Sequence, residues 1–405
     1  MLYRAYQAWD DSLLPFRIAA RTALALRDSL DLETHWPPSR SGFALLDMAT
    51  ELGISHRRPD YGIDTVLVGN REVEVHEEVA LHLPFGDLLH FAKDDIDTPQ
   101  PVMLVVAPLS GHFATLLRGT IRTLLRDHDV YITDWANARD VPLADGRFGF
   151  DDYVDYVIRF LEHLGPEANV LAVCQPCVQT LAAVALMAED RNPAQPRTMT
   201  LMGGPVDTRI APTKVNQLAT TKPIRWFEET LIAEVPWRYP GGGRKVYPGF
   251  LQLTAFMSMN LKRHAEQYRN LFNLLVDGRR SDAAAITDFY REYYAVLDMT
   301  AEFYLETVER VFQSASLARG ALEYRGRRIN PAAITRTALL TVEGERDDIC
   351  SVGQTAAAHD LCVHLRPHLR RHHYQPGVGH YGLFSGRKWE NQVYPQVKSL
   401  VLAMA

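Results

Sequence analysis

Leu2, Tyr3, Tyr6, Trp9, Leu13, Leu14 and Ile18 recur at near-helical spacing, which predicts an amphipathic helix over residues 1 to about 30. A second, shorter helix fits 41–53. After Pro59 the period shortens, and TVLVGN, REVEVHEEVALHL and LLHFAK read as strands, with Gly69-Asn70 as a hairpin turn between the first two. An antiparallel edge is predicted. From Pro101 apolar strands alternate with amphipathic helical stretches, the pattern of a parallel doubly wound sheet. The strand runs are VMLVVAP (102–108), VYITDW (130–135), NVLAVC (169–174), TMTLMGG (198–204), ALLTVEG (338–344) and RHHYQPG (371–377). Helices are expected at 113–126, 151–165, 353–370 and 388–403. In the second of these Tyr153, Tyr156, Val157, Phe160 and Leu164 share a face.

Between Pro205 and about Pro331 the alternation stops, and helical sequence rich in Trp, Tyr and Phe replaces it. The chain therefore divides into N-terminal helices and antiparallel edge strands (1–100), an α/β core (101–204 and 332–405), and a helical, aromatic-rich insertion (205–331). Lying between a strand-to-helix turn and the last strands, that insertion is expected to cap a cleft, with Trp226, Phe227 and Trp237 as candidate substrate contacts.

Composition narrows the function classes. Over 405 residues, 47% are hydrophobic and 23% charged, which is the range of a globular chain that buries a sizeable core. With 43 Lys and Arg against 49 Asp and Glu the net charge is −6, so no global field draws the chain to nucleic acid or an anionic membrane. The start MLYRAYQAWDDSLLPF places Asp10 and Asp11 where a signal peptide needs apolar residues, and no run approaches the roughly 20 apolar residues of a spanning helix. A cytoplasmic protein with no transmembrane segment is expected. Its four cysteines, Cys174, Cys177, Cys350 and Cys362, are then expected to be reduced.

Cys174 sits where the apolar run Leu171-Ala172-Val173 turns into a helix, the arrangement of a nucleophile elbow, with the small residue Ala172 two positions before it. Pro176 occupies the position that usually holds Gly, and its fixed φ suits a first helical turn. A helix N-terminus favours the thiolate. An elbow nucleophile needs an acid and then a histidine after later strands, and Asp347 in EGERDDI and His380 in GVGHYG follow in that order. His380 would take the Cys174 proton and Asp347 would hold the imidazole. The oxyanion would be held by the backbone N–H of Gln175 and by an N–H near Leu109 or Ser110. Asp348 and Asp207 are alternative acids. His364, His368, His372 and His373 read as solvated surface, and His112 either shapes the oxyanion loop or caps the next helix. The spacing C-x-x-C also permits a redox pair, but Cys177 lies one helical turn on and is expected to pack. Cys350 and Cys362 form no second close pair, so neither metal nor cofactor is expected.

TDW (133–135), VCQPC (173–177), TMTLMGGPVDTR (198–209), VEGERDDI (342–349) and GHYGLFSGR (379–387), with the start MLYRAYQ, closely resemble the intracellular poly(3-hydroxybutyrate) depolymerases along essentially the whole chain. The resemblance implies an α/β-hydrolase fold with an N-terminal extension and a helical cap, akin to the polyhydroxyalkanoate synthases. It also implies a Cys-Asp-His triad acting on stored polyester granules. By motif the nucleophile falls on Cys174, the acid on Asp347 and the base on His380. The second cysteine, Cys177, departs from the residue expected there. The implied partners are the polyhydroxybutyrate granule surface and the polyester itself, with water or coenzyme A as acyl acceptor. A synthase-like acyltransferase would be expected to carry G-x-C-x-G-G in place of AVCQP. An inactive granule-associated binding protein is the rival from another class.

Overall fold

The computed structural model describes residues 2–30, 40–51, 53–94, 96, 98–259 and 261–404. Its main sheet has nine strands in the order β1-β2-β3-β5-β4-β6-β7-β13-β14. They are β1 (Thr65–Val68), β2 (Arg71–Leu83), β3 (Gly86–Lys93), β4 (Val102–Val106), β5 (Asp129–Trp135), β6 (Asn169–Val173), β7 (Thr198–Met202), β13 (Ala338–Gly344) and β14 (Arg370–Gln375). The pairs from β1 through β3 to β5 are antiparallel, and all pairs from β5 through β4, β6, β7 and β13 to β14 are parallel. A strand β3 that runs against its parallel neighbours, a crossed β5-β4 order and a parallel run to the far edge are the topology of the α/β-hydrolase fold.

Burial follows the topology. Every residue of β6, β7 and β13 is buried, because helices cover both faces of a parallel sheet. β2, near the edge, alternates instead, burying Val73 and Val75 between exposed Glu residues. The helix Phe150–Leu164 buries Tyr153, Tyr156, Val157 and Phe160, and the helix Cys177–Glu189, sunk beneath the site, is buried along nearly its whole length.

Three expectations are corrected. The stretch 353–370 is mostly turns, with one turn of α-helix at Ala358–Leu361 and one of 3-10 helix at Pro367–Leu369. The buried Glu343 carboxylate accepts the N–H groups of Gly353, Thr355 and Ala356, capturing donors in a turn rather than a helix. The segment 205–331 is helical in large part, but it also carries a small antiparallel sheet of β8 (Ala233–Glu234), β9 (Lys245–Tyr247) and β10 (Met299–Thr300), and a hairpin of β11 (Glu323–Tyr324) and β12 (Arg327–Arg328). Finally, the apolar positions of the first helix do not share one buried face. In Leu2–Leu30 the buried residues are Tyr3, Gln7, Ala20 and Arg27, while Leu2, Trp9, Leu14 and Ile18 are exposed. The helix rests on the insertion at one end, where Tyr6 stacks on Phe250 with ring centroids 4.0 Å apart and the Tyr3 hydroxyl donates to Asp298 at 2.6 Å. At its other end Arg27 pairs with Asp47 of the helix Arg40–Glu51 at 2.6 Å.

Candidate active site

β6 ends at Val173, the following helix begins at Cys177, and Cys174 between them has φ +67°. A side chain held in the left-handed region costs on the order of 1–3 kcal/mol, so the surrounding structure must enforce it. Two hydrogen bonds do so. The Cys174 N–H donates to Met202 O at 2.7 Å, tying the turn to β7, and the Cys177 N–H donates to Cys174 O at 3.2 Å. The turn after β7 closes against the elbow through glycine: a Cβ on Gly204 would lie 2.3 Å from Cys177 Sγ and 3.1 Å from Cys174 O. Cys177 is fully buried, and burial first, then Cys174, pushes its thiol well above the usual range. It is a packing thiol. All four cysteines are free.

Asp347 lies in the turn after β13. Its Oδ1 accepts the N–H groups of Ile349 at 2.9 Å and Cys350 at 2.8 Å, which leaves Oδ2 to accept from His380 Nδ1 at 2.7 Å. Both side chains are buried, and Phe384 packs edge-on against the imidazole. Burial works against a charge on His380, but Cys174 and then Asp347, through charge and hydrogen bonding, outweigh it and raise the imidazole well above its ordinary 6.5. Cys174, Asp347 and His380 thus come together. Neither alternative acid is placed like Asp347: Asp348 is exposed, and Asp207 is bonded to Arg209 at 2.7 and 2.8 Å.

The loop after β4 brings the oxyanion candidates to the elbow. Leu109, rather than Ser110, bonds Gln175: its N–H donates to Gln175 Oε1 at 3.3 Å. The loop is held from beneath by residues that pattern reading did not single out for a role. Thr133 Oγ1 accepts the Ala107 N–H at 2.9 Å, and the Trp135 indole and the Tyr153 hydroxyl both donate to Ala107 O at 2.8 Å. Thr133 and Trp135 belong to the run TDW, whose only signal in the sequence is its place among the motifs of the resemblance. From above, the insertion clasps the loop: the Leu297 N–H donates to Gly111 O at 3.0 Å, and His112 donates from Nε2 to Tyr293 O at 3.1 Å. Gly111 has φ +97°, and a Cβ there would meet Gln252 Cγ at 2.6 Å, so the position requires glycine twice over. His112 is therefore a buried strut; burial lowers its imidazole to about 4.

The aromatic candidates separate. Phe227 is buried against Ala219 and Val308 inside the insertion, which corrects its assignment as a substrate contact, and Trp226 leans edge-on against it at 5.1 Å. Trp237 is 76% exposed and lies over Gly243, whose Cβ would come 3.0 Å from the indole. Tyr381, next to His380, packs against the cluster of Leu253, Tyr290, Tyr293 and Val296. Among the described residues no group of three His, Cys, Asp or Glu side chains is arranged to hold a metal ion, and no helix is long and apolar enough to cross a membrane.

A family model described as "PHB de-polymerase C-terminus" matches residues 203–405. No curated protein matches the chain. Among solved structures, the 2-hydroxy-6-oxo-6-phenylhexa-2,4-dienoate hydrolase of Rhodococcus sp. strain RHA1 is similar at 14% identity and a TM-score of 0.44, with 81% of this chain and 99% of that one covered. A carboxylesterase structure from the thaumarchaeon Nitrososphaera gargenis is similar at 13% identity and a TM-score of 0.42, covering 84% and 100%. An esterase from Thermogutta terrifontis is similar at 13% and 0.42, covering 82% and 99%. These likenesses are too weak to transfer an activity.

Proposed function

Because the chain belongs to the PHB depolymerase family and is a carboxylic ester hydrolase, we propose that it cleaves the ester bonds of amorphous poly(3-hydroxybutyrate) stored in cytoplasmic granules, releasing 3-hydroxybutyrate and its oligomers. The observation that carries this reading is the buried His380, bonded to Asp347 at 2.7 Å and raised by Cys174, which stands on its strained turn.

Cys174 Sγ gives its proton to His380 and attacks the ester carbonyl carbon. Charge develops on the carbonyl oxygen, which the N–H groups of Gln175 and Leu109 receive. As the tetrahedral intermediate collapses, His380 gives its Nε2 proton to the departing alkoxide, leaving a free hydroxyl end and an acyl-Cys174 thioester. His380 then takes a proton from the acceptor, water or coenzyme A, which attacks the thioester and restores the thiolate. Asp347 holds the imidazole in the orientation and tautomer that both proton transfers need.

An insoluble substrate also requires attachment. Leu2, Trp9 and Phe16, at 45, 54 and 55% exposure, recur every seven residues along the outside of the first helix, about two turns apart. With Trp237 they are the apolar side chains assigned to the granule, in place of the buried Phe227.

The test is turnover of native amorphous granules by the purified chain, with and without coenzyme A. Soluble hydroxyacids released without coenzyme A, and lost in Cys174→Ala, are expected. Thioester products that appear only with coenzyme A would shift the acceptor to that thiol, and binding without turnover would leave a granule protein and defeat the hydrolase reading.

A further inference from the structure

The side chain of Gln175 has no part in the scheme above, which uses only its backbone N–H. It is nonetheless nine-tenths buried, and its carboxamide reaches across to the donor that must bind the oxyanion, accepting the Leu109 N–H at Oε1. That bond, at 3.3 Å, is at the long end for N–H···O and is a weak hold. The amide orientation is fixed by chemistry, since the reverse would set Nε2 donors against the Leu109 donor. Nε2 therefore points away from Leu109, and it is buried without a hydrogen-bond partner. A buried donor of this kind is destabilising until something accepts from it.

We propose that the Gln175 carboxamide is both a displaceable plug in the oxyanion hole and a specificity contact for a second carbonyl of the substrate. In the free enzyme Oε1 occupies Leu109 N–H. An entering ester carbonyl oxygen takes over that N–H, the carboxamide shifts aside, and its Nε2 donates to another oxygen acceptor on the same molecule. Polyesters of 3-hydroxy acids carry such an acceptor, because the next ester carbonyl lies only a few chain atoms from the one under attack. A simple monoester has none. The site then prefers oligoesters and polyesters through one side chain, which rests on the polyester reading and names how that substrate class is recognised.

The experiment compares kcat/KM for a soluble 3-hydroxybutyrate trimer and for p-nitrophenyl butyrate, in the wild type, Gln175→Leu and Gln175→Ala. For Gln175→Leu, of similar volume, the trimer value should fall about tenfold, chiefly through KM, as one buried hydrogen bond is lost. The monoester value should rise about threefold, because no plug has to be displaced. Gln175→Ala should change the ratio of the two in the same direction and serves if the leucine variant does not fold. A trimer-to-monoester ratio within twofold of wild type in the folded variants would overturn the proposal, since a merely structural residue lowers both values together. Wild type that cleaves the monoester but not the trimer would overturn the polyester reading itself, and the inference with it.

Discussion

A Cβ placed on Gly203 would stand 3.2 Å from His380 Cε1 and 3.4 Å from Asp347 Oδ2. The residue after β7 is thus the floor on which the acid and the imidazole rest, and it has φ +56°. Gly203→Ala should cost about 1–2 kcal/mol in urea unfolding from the left-handed backbone alone. It should also lower kcat tenfold or more, since a shift of a few tenths of an ångström at His380 misaligns both proton transfers. Unchanged kcat would show that the ring does not bear on that glycine.

The strain at Cys174 gives a stability prediction with the opposite sign from the activity. Cys174→Ala and Cys174→Gly should both be inactive, but the glycine variant should be more stable than the alanine one by about 1 kcal/mol, because only glycine accepts φ +67° without cost. Equal melting of the two would mean that the turn stores no strain.

For the acid, Asp347→Asn should reduce kcat by about a thousandfold or more while the protein stays folded, because the imidazolium loses its charge partner. Asp207→Asn, which removes only the pairing with Arg209, should stay within a few-fold of wild type. A larger loss at Asp207 would move the acid to the turn after β7.

Two sets of histidines make stability depend on pH in opposite directions. His380 is raised above 6.5, so its contribution is complete below pH 6.5 and is lost as pH rises through its higher folded value. Removing Cys174, the first of the causes that raise it, should bring the NMR titration midpoint of His380 down. His56, His112 and His128 are lowered by burial to about 3, 4 and 4, so their contribution is complete above pH 6.5 and is lost as pH falls from 6.5 toward those values. Urea midpoints should therefore decline on both sides of neutrality. A flat acid limb would mean that these three rings charge without unfolding.

For attachment, Trp9→Glu and Trp237→Glu should weaken binding to amorphous granules several-fold and leave hydrolysis of a short soluble ester intact. Phe227→Glu should instead unfold the insertion by burying a charge among Ala219 and Val308. Moderate salt should barely affect granule binding, and a collapse in salt would assign attachment to charge.

The parallel core was legible because strands buried on both faces are written as unbroken apolar runs, as in VMLVV and NVLAV. The triad candidates were legible because an elbow fixes the order of its partners along the chain. What escaped was set by contacts distant in sequence. Nothing near 353–370 announces that Glu343 will take three of its N–H groups. A helix whose apolar residues are split between a packed and an open side looks simply amphipathic until its partners are known. Phe227 and Trp237 are alike as letters, and only the packing of the insertion divides one from the other.

The clasp of Leu297 on Gly111 and of His112 on Tyr293 has one mechanical outcome. The insertion and the bracket for the Leu109 donor are a single bonded piece, so the insertion cannot draw away from the elbow without pulling on that bracket. Damage within the insertion, at a distance from the elbow, should therefore register first as lost turnover rather than as lost binding.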